Sequence, residues 1–490
     1  MMKRMLMMAV VVALTMTVGF TDALAAKKKT KKTKVEQQEV WPDGTPMDAW
    51  FKNSTKVDVA TLGRQYVITD YGVVKDSTIV QTQKIQAVID RCSQEGGGQV
   101  LVPAGHYKIG TIVLRSRVNL HLEKGAVLFG STDIHDYTPQ RTSYVSLRTN
   151  TPTVQLIWAD NVEDVTIDGE GVIDGRGKSF PKLSWNDEGI TRPHLLRFVQ
   201  SRDVQLKGIT LRNSGCWMQH WLACDRVKID GITVNNRNNY NNDALDLDGC
   251  HEVAVSNIIC DSDDDGITLK STSPRLCENI CITNCVVSSH CNAVKLGTET
   301  NGGFRNITIQ NICVKPSYDQ SSQFFGHESK RGTSALSLEI VDGGVMENVN
   351  ISNFTVEGTE SPIFVRLANR ARSYCDSVKI TKVGSIRNVR ISNFMVSNAG
   401  STGCSITGME GHPVENIFLR DIFITQQGGQ PETAAPTDEK LKEYPEATMW
   451  GILPAKGFWV NHARNVHFDN VCVEASAPDQ RPLFFKQDCE

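Results

Sequence analysis

One short unit recurs along this chain and limits its fold more than any other feature. It reads approximately x-Asn/Asp-Val/Ile-x-Ile-x-Asn/Gly-Ile/Val. It occurs as EDVTIDGEGVI from Glu163, RDVQLKGITL from Arg202, DRVKIDGITV from Asp225 and HEVAVSNIIC from His251. ENICITNCVV from Glu278, RNITIQNICV from Arg305, ENVNISNFTV from Glu347, RNVRISNFMV from Arg387, ENIFLRDIFI from Glu415 and RNVHFDNVCV from Arg464 continue it. The central copies, aligned on Val204, Val227, Val253, Ile280 and Ile307, stand 23 to 27 residues apart, and later intervals run from 28 to 49. Each copy alternates apolar and polar residues with period two, the mark of a short strand with one buried face. Asn and Gly between strands suit bends in the left-handed backbone region. A single unit cannot bury its apolar face, whereas a stack of units can. A coil of about 20–30 residues holds about three strands, which predicts an all-β, single-stranded, right-handed parallel β-helix. The alternative is a β-propeller, whose blades need about 40–50 residues and hairpin turns. The tight central spacing argues against it.

The two ends depart from the repeat. Gln83–Ser93 has helical periodicity and is followed by Gly96-Gly97-Gly98 and several alternating strands. A helix here would cap the open end of the stack and shield its edge from further strand addition. Residues 426–448 are rich in Pro, Glu, Lys and Gly and read as a surface loop that could wall a cleft, and a second irregular insertion covers 317–331.

Composition excludes several classes. Of 490 residues 22% are charged and the net charge is −3, which gives no basis for nucleic-acid binding or adsorption to a membrane surface. Met1–Arg4 is basic, Met5–Phe20 is apolar but short for a spanning helix, and Ala23-Leu24-Ala25 has small residues at cleavage-site spacing. The expectation is a cleavable signal peptide (1–25) ending at Ala25, a lysine-rich linker (26–55) and one β-helix domain (56–490). Such a protein would be secreted or periplasmic, without a membrane span, and monomeric. The 14 cysteines form neither a small disulfide framework nor a convincing zinc set, so most are expected in the core as small hydrophobes. No metal or other cofactor is expected.

Three consecutive coils carry acidic or basic residues at corresponding places: NNDALDLDG with Asp243, DSDDDGITLKS with Asp264, Asp265 and Lys270, and SSHCNAVKLGTE with His290 and Lys295. Asp243 and Asp264 are 21 positions apart, close to one turn of the stack. Neighbouring rungs are about 4.8 Å apart. With side-chain splay, carboxylates on adjacent rungs reach the separation of about 6.5–9.5 Å that inverting glycoside hydrolysis needs for an intervening water. Taken alone, an Asp run of this kind is more often a turn or a calcium loop. The strand GITLKS that follows, and Asp243 one turn earlier, favour catalysis. Asp246 and Asp248 read as turn-bonding residues, and Trp217 and Trp221 as core. The same tryptophans, with Tyr240, are the alternatives for stacking on sugar faces.

These residues resemble the pectin-degrading glycoside hydrolases of family 28, the polygalacturonases and rhamnogalacturonan hydrolases, from about Asp70 to the C-terminus. DYGVVKD, AVIDRC…GGGQVLVPAG and IDGEGVIDGRG are shared with the wider pectin lyase-like β-helix group. RPHLLRF at Arg192 and GITLRNSGCWMQHW at Gly208 are closer to the hydrolases. Asn241-Asn242-Asp243-Ala244-Leu245-Asp246 stands for the family's Asn-Thr-Asp-Gly-x-Asp. Asp264-Asp265-Gly266-Ile267-Thr268-Leu269-Lys270 stands for Asp-Asp-Cys-Ile-Ala-Ile-Lys, and Ser289-His290-Cys291 for Gly-His-Gly. Two departures stand out. Both glycines beside His290 are missing, and alignment on Gly297 would move the family's His toward Asn292. The family's Arg-Ile-Lys is replaced by SALSLEIVDGG from Ser334, which puts simple polygalacturonase specificity in doubt, while a basic run, FVRLANRAR, follows.

The resemblance implies Asp264 as general acid, Asp243 and Asp265 as the residues that hold and activate water, and His290 as a neighbour that tunes the acid. Lys295, Lys270, Asn241, Arg366 and Arg370 are the candidates for binding a pectic polysaccharide or oligosaccharide, by charge-assisted bonds to its carboxylates. For Arg366, Arg370 and Arg372 a solvated face is the favoured reading. Clustered acids should raise one pKa and keep that group protonated. The reaction expected is inverting hydrolysis of galacturonic acid-containing pectin, with loop lengths favouring exo action. The alternatives are an eliminating lyase and a non-catalytic carbohydrate-binding β-helix.

Overall fold

The computed structural model describes residues 40, 44–46, 64–181, 187–316 and 331–490. The expected signal peptide, nearly all of the lysine-rich linker and the insertion at 317–330 lie outside the described residues. The chain divides into two compact units, Met1–Ser54 and Thr55–Glu490. In the first, Val40 and Pro46 form an antiparallel bridge.

The second unit is a parallel coil of strands. In its early turns each strand pairs with the strand three places on. His194–Val199, Arg202–Lys207 and Thr210–Arg212 lie in parallel register under Gln219–Leu222, Asp225–Asp230 and Thr233–Asn236. From Cys277–Ser289 onward two sides of the coil join into one long strand, and pairing passes to the strand two places on until Phe458–Ala477, which also pairs with the strands directly before and after it. The fold is the right-handed parallel β-helix that the repeat predicts.

The sequence repeat coincides with the structural register. Val165, Val204, Val227, Val253, Ile280, Ile307, Val349, Val389, Ile417 and Val466 are stacked partners on successive coils. All but the half-buried Val466 are buried. Full burial of each such side chain stabilises the stack by about 1.5–3 kcal/mol. Inside the column Phe354 stacks on Phe394 at 4.5 Å and Phe198 on Trp221 at 4.3 Å between ring centroids.

The residue before each aligned Val or Ile holds the turn. Asn279, Asn306, Asn348, Asn388, Asn416 and Asn465 all have φ between 55° and 58°. Asn tolerates this region better than other side-chain-bearing residues. Each amide also donates to the one below, from Asn306 Nδ2 to Asn279 Oδ1 at 3.1 Å up to Asn465 Nδ2 to Asn416 Oδ1 at 2.7 Å. The ladder satisfies amides on an exposed edge and fixes the coil-to-coil register.

Thr82–Gln94 is the expected helix, with Ile85, Val88, Ile89 and Cys92 buried. It packs on the first strands, including Gly98–Val102 and Val118–Leu122. Among the described residues no helix is long and apolar enough to cross a membrane. All 14 cysteines are free thiols. Nine are buried, whereas Cys281, predicted on a strand, faces outward because it sits on the polar phase of its alternation.

Candidate active site

The stacking brings the predicted carboxylates together. Asp243 precedes the strand Leu245–Asp248, Asp264 and Asp265 precede Ile267–Ser271, and Asn292 opens Asn292–Thr300. Ala244 N donates to Asp265 O at 3.0 Å, and Gly266 N to Asn292 O at 2.8 Å. Asp243, Asp265 and Asn292 therefore occupy successive rungs. Gly266 is required by this approach: a Cβ there would lie 2.4 Å from Ala293 O. Hydroxyls of Ser289 and Ser262 donate to Asp264 O at 2.6 and 3.0 Å and hold that corner of the coil.

These residues open into a cleft of about 510 Å³. Asp243, Asp264, Asp265, Asn241, Lys270 and Arg370 line it, all of them predicted site residues. Arg192, fully buried and ion-paired with Asp187 at 2.6 Å, donates to Asn241 Oδ1 at 3.0 Å and fixes it at the rim. Arg370 makes no ion pair among the described residues, and its Nη1 has no hydrogen-bond partner. Its guanidinium lies 5.3 Å over the Tyr444 ring.

Three predictions are corrected. His290 does not line the cleft. It sits in the corner between two strands, with Nδ1 3.5 Å from Asp263 Oδ1. The position one rung above Asp265 belongs to Asn292, whose backbone N and Nδ2 both donate to Asp265 Oδ1, at 3.1 and 2.8 Å. Lys295 does not offer itself to a substrate either. It is 1% exposed, and its Nζ lies 3.0 Å from both Asp265 Oδ2 and the Tyr444 hydroxyl. Arg366 is buried rather than solvated; it donates to Thr407 Oγ1 at 3.2 Å and to Gly408 O and Glu439 O, beneath the Trp450 ring. Of the aromatic candidates Trp217 lines the cleft, Trp221 is core, and Tyr240 is not among the lining residues. Asp248 is structural, accepting from Thr272 N and Oγ1 and facing His220 Nε2 at 3.0 Å.

The environments split the acids. Burial raises Asp264 well above the usual carboxylate range, and the charges of Asp243 and Asp265 raise it further. Burial pushes Asp243 up to about 6, with Lys270 opposing. Asp265 also suffers burial, but Lys295, Lys270 and the Asn292 amide outweigh it and hold the carboxyl below its ordinary value. The cluster thus favours the protonated form of Asp264 and the ionised form of Asp265. Lys270 Nζ stands 3.6 Å from Asp243 Oδ2, 3.4 Å from Asp246 Oδ1 and 3.7 Å from Glu299 Oε2. Donor atoms of Asp264, Asp265 and Cys291 converge within 4.8 Å. Burial holds the Cys291 thiol well above its ordinary pKa.

Other cleft residues carried no legible motif. Arg148 comes from an irregular segment and bridges Glu188 to Glu299. Glu299 lies in the quoted VKLGTE run, four residues after Lys295, and that spacing was the available signal. Tyr444 and Glu446 come from the loop expected as a cleft wall.

Three carboxylates gathered in one cleft of a parallel β-helix are an arrangement that glycoside hydrolysis can use. The family profile described as glycosyl hydrolases family 28 matches residues 92–442, and the chain belongs to that family. It is 29% identical over 264 residues to a probable polygalacturonase of Vitis vinifera, covering 50% of this chain and 54% of the relative. It is 25% identical over 396 residues to a probable polygalacturonase of Arabidopsis thaliana, covering 79% and 80%. The solved family 28 exopolygalacturonase of Yersinia enterocolitica shares the fold at a TM-score of 0.66 and 18% identity, covering 87% of this chain and 77% of that one. The match to the Vitis vinifera relative thus spans about half of that protein's length.

Proposed function

We propose that this protein hydrolyses galacturonic acid-containing pectin with inversion, Asp264 acting as general acid while Asp243 and Asp265 hold and activate the attacking water. The observation that carries this reading is the split among three carboxylates on neighbouring rungs of one cleft. A protonated acid gives its proton to the leaving glycosidic oxygen. An ionised carboxylate of the same cluster takes one from water on the opposite face of the sugar. Arg370 supplies positive charge in the same cleft for a uronate carboxylate, as a guanidinium with no ion pair of its own among the described residues, whereas Lys270 is held among Asp243, Asp246 and Glu299. Asn241 adds an amide at the rim. His290 stands outside the cleft, facing Asp263 in the corner it occupies.

Tyr444 and Glu446 wall the cleft from the loop at 426–448, which supports action at chain ends. Residues 1–25 have the composition of a secretory leader, and export to a compartment that holds pectin fits this substrate.

The test is product analysis on defined oligogalacturonides and rhamnogalacturonan oligosaccharides. The expected result is new reducing ends of inverted anomeric configuration, without an ultraviolet-absorbing double bond, abolished in Asp264→Asn while substrate still binds. Full turnover in that variant, or unsaturated products from the wild type, would remove the assignment.

A further inference from the structure

Six acids line the cleft: Glu188, Asp243, Asp264, Asp265, Glu299 and Glu446. Among the described residues four of them are ion-paired: Glu188 with Arg148, Asp243 with Lys270, Asp265 with Lys295, and Glu299 with Arg148, Lys270 and Arg372. The other two make no ion pair there. One is Asp264, the general acid of the reading above. The second is Glu446, which comes from the loop rather than from a coil and has no part in that reading. The two carboxyls are bonded alike. Asp265 N donates to Asp264 Oδ1 at 2.9 Å, and Ala447 N donates to Glu446 Oε1 at 3.2 Å. The remaining oxygen of each has no hydrogen-bond partner among the described residues.

The wall that carries Glu446 is tied to the column at several points. Arg366 donates to Glu439 O, and Asn369 N donates to Leu441 O at 3.0 Å. Within the loop Lys440 Nζ donates to Met449 O at 2.7 Å and Trp450 Nε1 to Asp438 O at 3.0 Å. Lys295 Nζ donates to the Tyr444 hydroxyl at 3.0 Å, which fastens the loop beside Asp265. Pro445 is buried, and Glu446 follows it, half-buried, on the cleft wall.

The surroundings of Glu446 favour its neutral form. Burial pushes its carboxyl up to about 7, Lys295 opposes and Asp265 adds to the rise. Glu339, Tyr444 and Cys291 are the other titratable groups that feel its charge. The Lys295 ammonium is already in contact with Asp265. A carboxyl held this way keeps its proton in mild acid, where it has one O–H to donate, and becomes an unpaired anion above neutrality.

We propose that Glu446 is a specificity-determining residue of the cleft: protonated, it donates a hydrogen bond to a hydroxyl of the bound sugar, and ionised, it repels the acidic chain, an inference that rests on the pectic substrate proposed above. Asp264 gives up its proton in each turnover, whereas Glu446 keeps its own and governs binding. The cleft thereby favours an acidic chain in mild acid and releases it as pH rises.

The experiment measures kcat and KM separately for the wild type, Glu446→Gln and Glu446→Ala, on the shortest oligogalacturonide that the wild type cleaves. One pH unit above its pKa a group is about nine-tenths ionised, so the wild-type KM should rise about tenfold between about pH 5.5 and about pH 8. Glu446→Gln keeps a donor and cannot ionise, so its KM should stay near the acid value throughout. Glu446→Ala loses the donor, and its KM should be about threefold to tenfold above wild type in acid, with no further rise. If Glu446→Gln fails to fold, as judged by circular dichroism, Glu446→Ala decides. A rise in KM as steep in either folded variant as in the wild type overturns the proposal. So does a wild-type KM that does not change with pH, or a Glu446→Ala KM equal to wild type in acid. If no pectic oligosaccharide is cleaved, the hydrolase reading falls by itself, and calorimetric titration of trigalacturonate over the same pH range decides the role of Glu446 by the same comparison. A wild type that neither cleaves nor binds these sugars overturns both.

Discussion

Lys295 Nζ lies 3.0 Å from Asp265 Oδ2, and both side chains are almost fully buried. Lys295 stands one coil above Thr268, three residues past Asp265, and its stem reaches back along the groove. The pair shifts Asp264 and Asp265, adjacent in sequence, in opposite directions. Asp265 has Lys295 in direct contact; ionising Asp264 would place a second negative charge beside it and beside Asp243. Sequence neighbours thus acquire different chemistry from what lies one rung away.

Lys295→Met should be the most damaging single change outside the three acids. It leaves Asp265 buried without its cation, a class of change that costs about 3–5 kcal/mol. Asp265 would then compete with Asp264 for the proton. The expected outcome is a fall in kcat of about a hundredfold or more and a lowered melting temperature, read by reducing-sugar assay and calorimetry. The depressed Asp265 pKa means that its stabilising contribution is present above the unfolded value and lost as pH falls through the folded one, so the variant's deficit should shrink in acid. A variant with wild-type kcat would show that Asp265 does not act ionised.

The acid limb of kcat/KM should fall near pH 6, because Asp243, buried beside Lys270, is raised to about 6 and must ionise to assist the water. Lys270→Met removes the group that holds this value down, so the limb should move to higher pH. A profile that stays flat from pH 4 to 7 on a short oligogalacturonide would contradict a role for ionised Asp243.

Asn292→Ala deletes the side-chain bond to Asp265 Oδ1 but leaves the backbone one. Loss of a bond to a charged group costs about 1.5–3 kcal/mol, here at the ionised state of Asp265. Turnover should fall about tenfold to a hundredfold with little change in KM. A rise in KM with kcat unchanged would make Asn292 a binding residue instead.

Glu339 is fully buried, its Oε2 has no partner, and burial raises its pKa to about 8 despite Lys295. The folded protein therefore holds a proton there that the unfolded chain releases above about pH 4.3. Stability should decline as pH rises from that value to about 8 and then level off. Glu339→Gln should abolish this slope and be more stable than wild type at pH 8 by about 1–4 kcal/mol. Parallel pH–stability curves for the two proteins would refute it.

Asn348→Ala breaks the edge ladder at a residue with φ 58°. Its amide donates to Asn306 Oδ1 at 3.3 Å and its Oδ1 accepts from Asn388 Nδ2 at 3.4 Å. A destabilisation of about 1–3 kcal/mol is expected in urea, from the strained conformation and the two bonds. Asn348→Gly, which keeps the conformation free of strain, should recover part of it.

The repeat made the fold legible: period-two alternation and a coil-length interval leave little besides a stacked column, and Val204 to Ile307 aligned in sequence are aligned in space. The acids were legible for the same reason, since Asp243 and Asp265 hold the same phase on adjacent turns. His290 was misplaced because motif spacing counts residues through a corner, where the chain turns and alternation no longer predicts direction. Hydrogen bonds fixed the register there at Asn292. Arg148, Glu188 and Glu446 were invisible because irregular segments carry no period.

By itself the sequence determined the column and the side of it on which the acids gather, because burying an alternating strand fixes which residues face which way. Only the tertiary structure decided which carboxylate is favoured to hold the proton and which cations are already paired. Those outcomes depend on burial and on distances of a few ångströms between residues from different coils and loops, where Coulomb and desolvation energies change steeply.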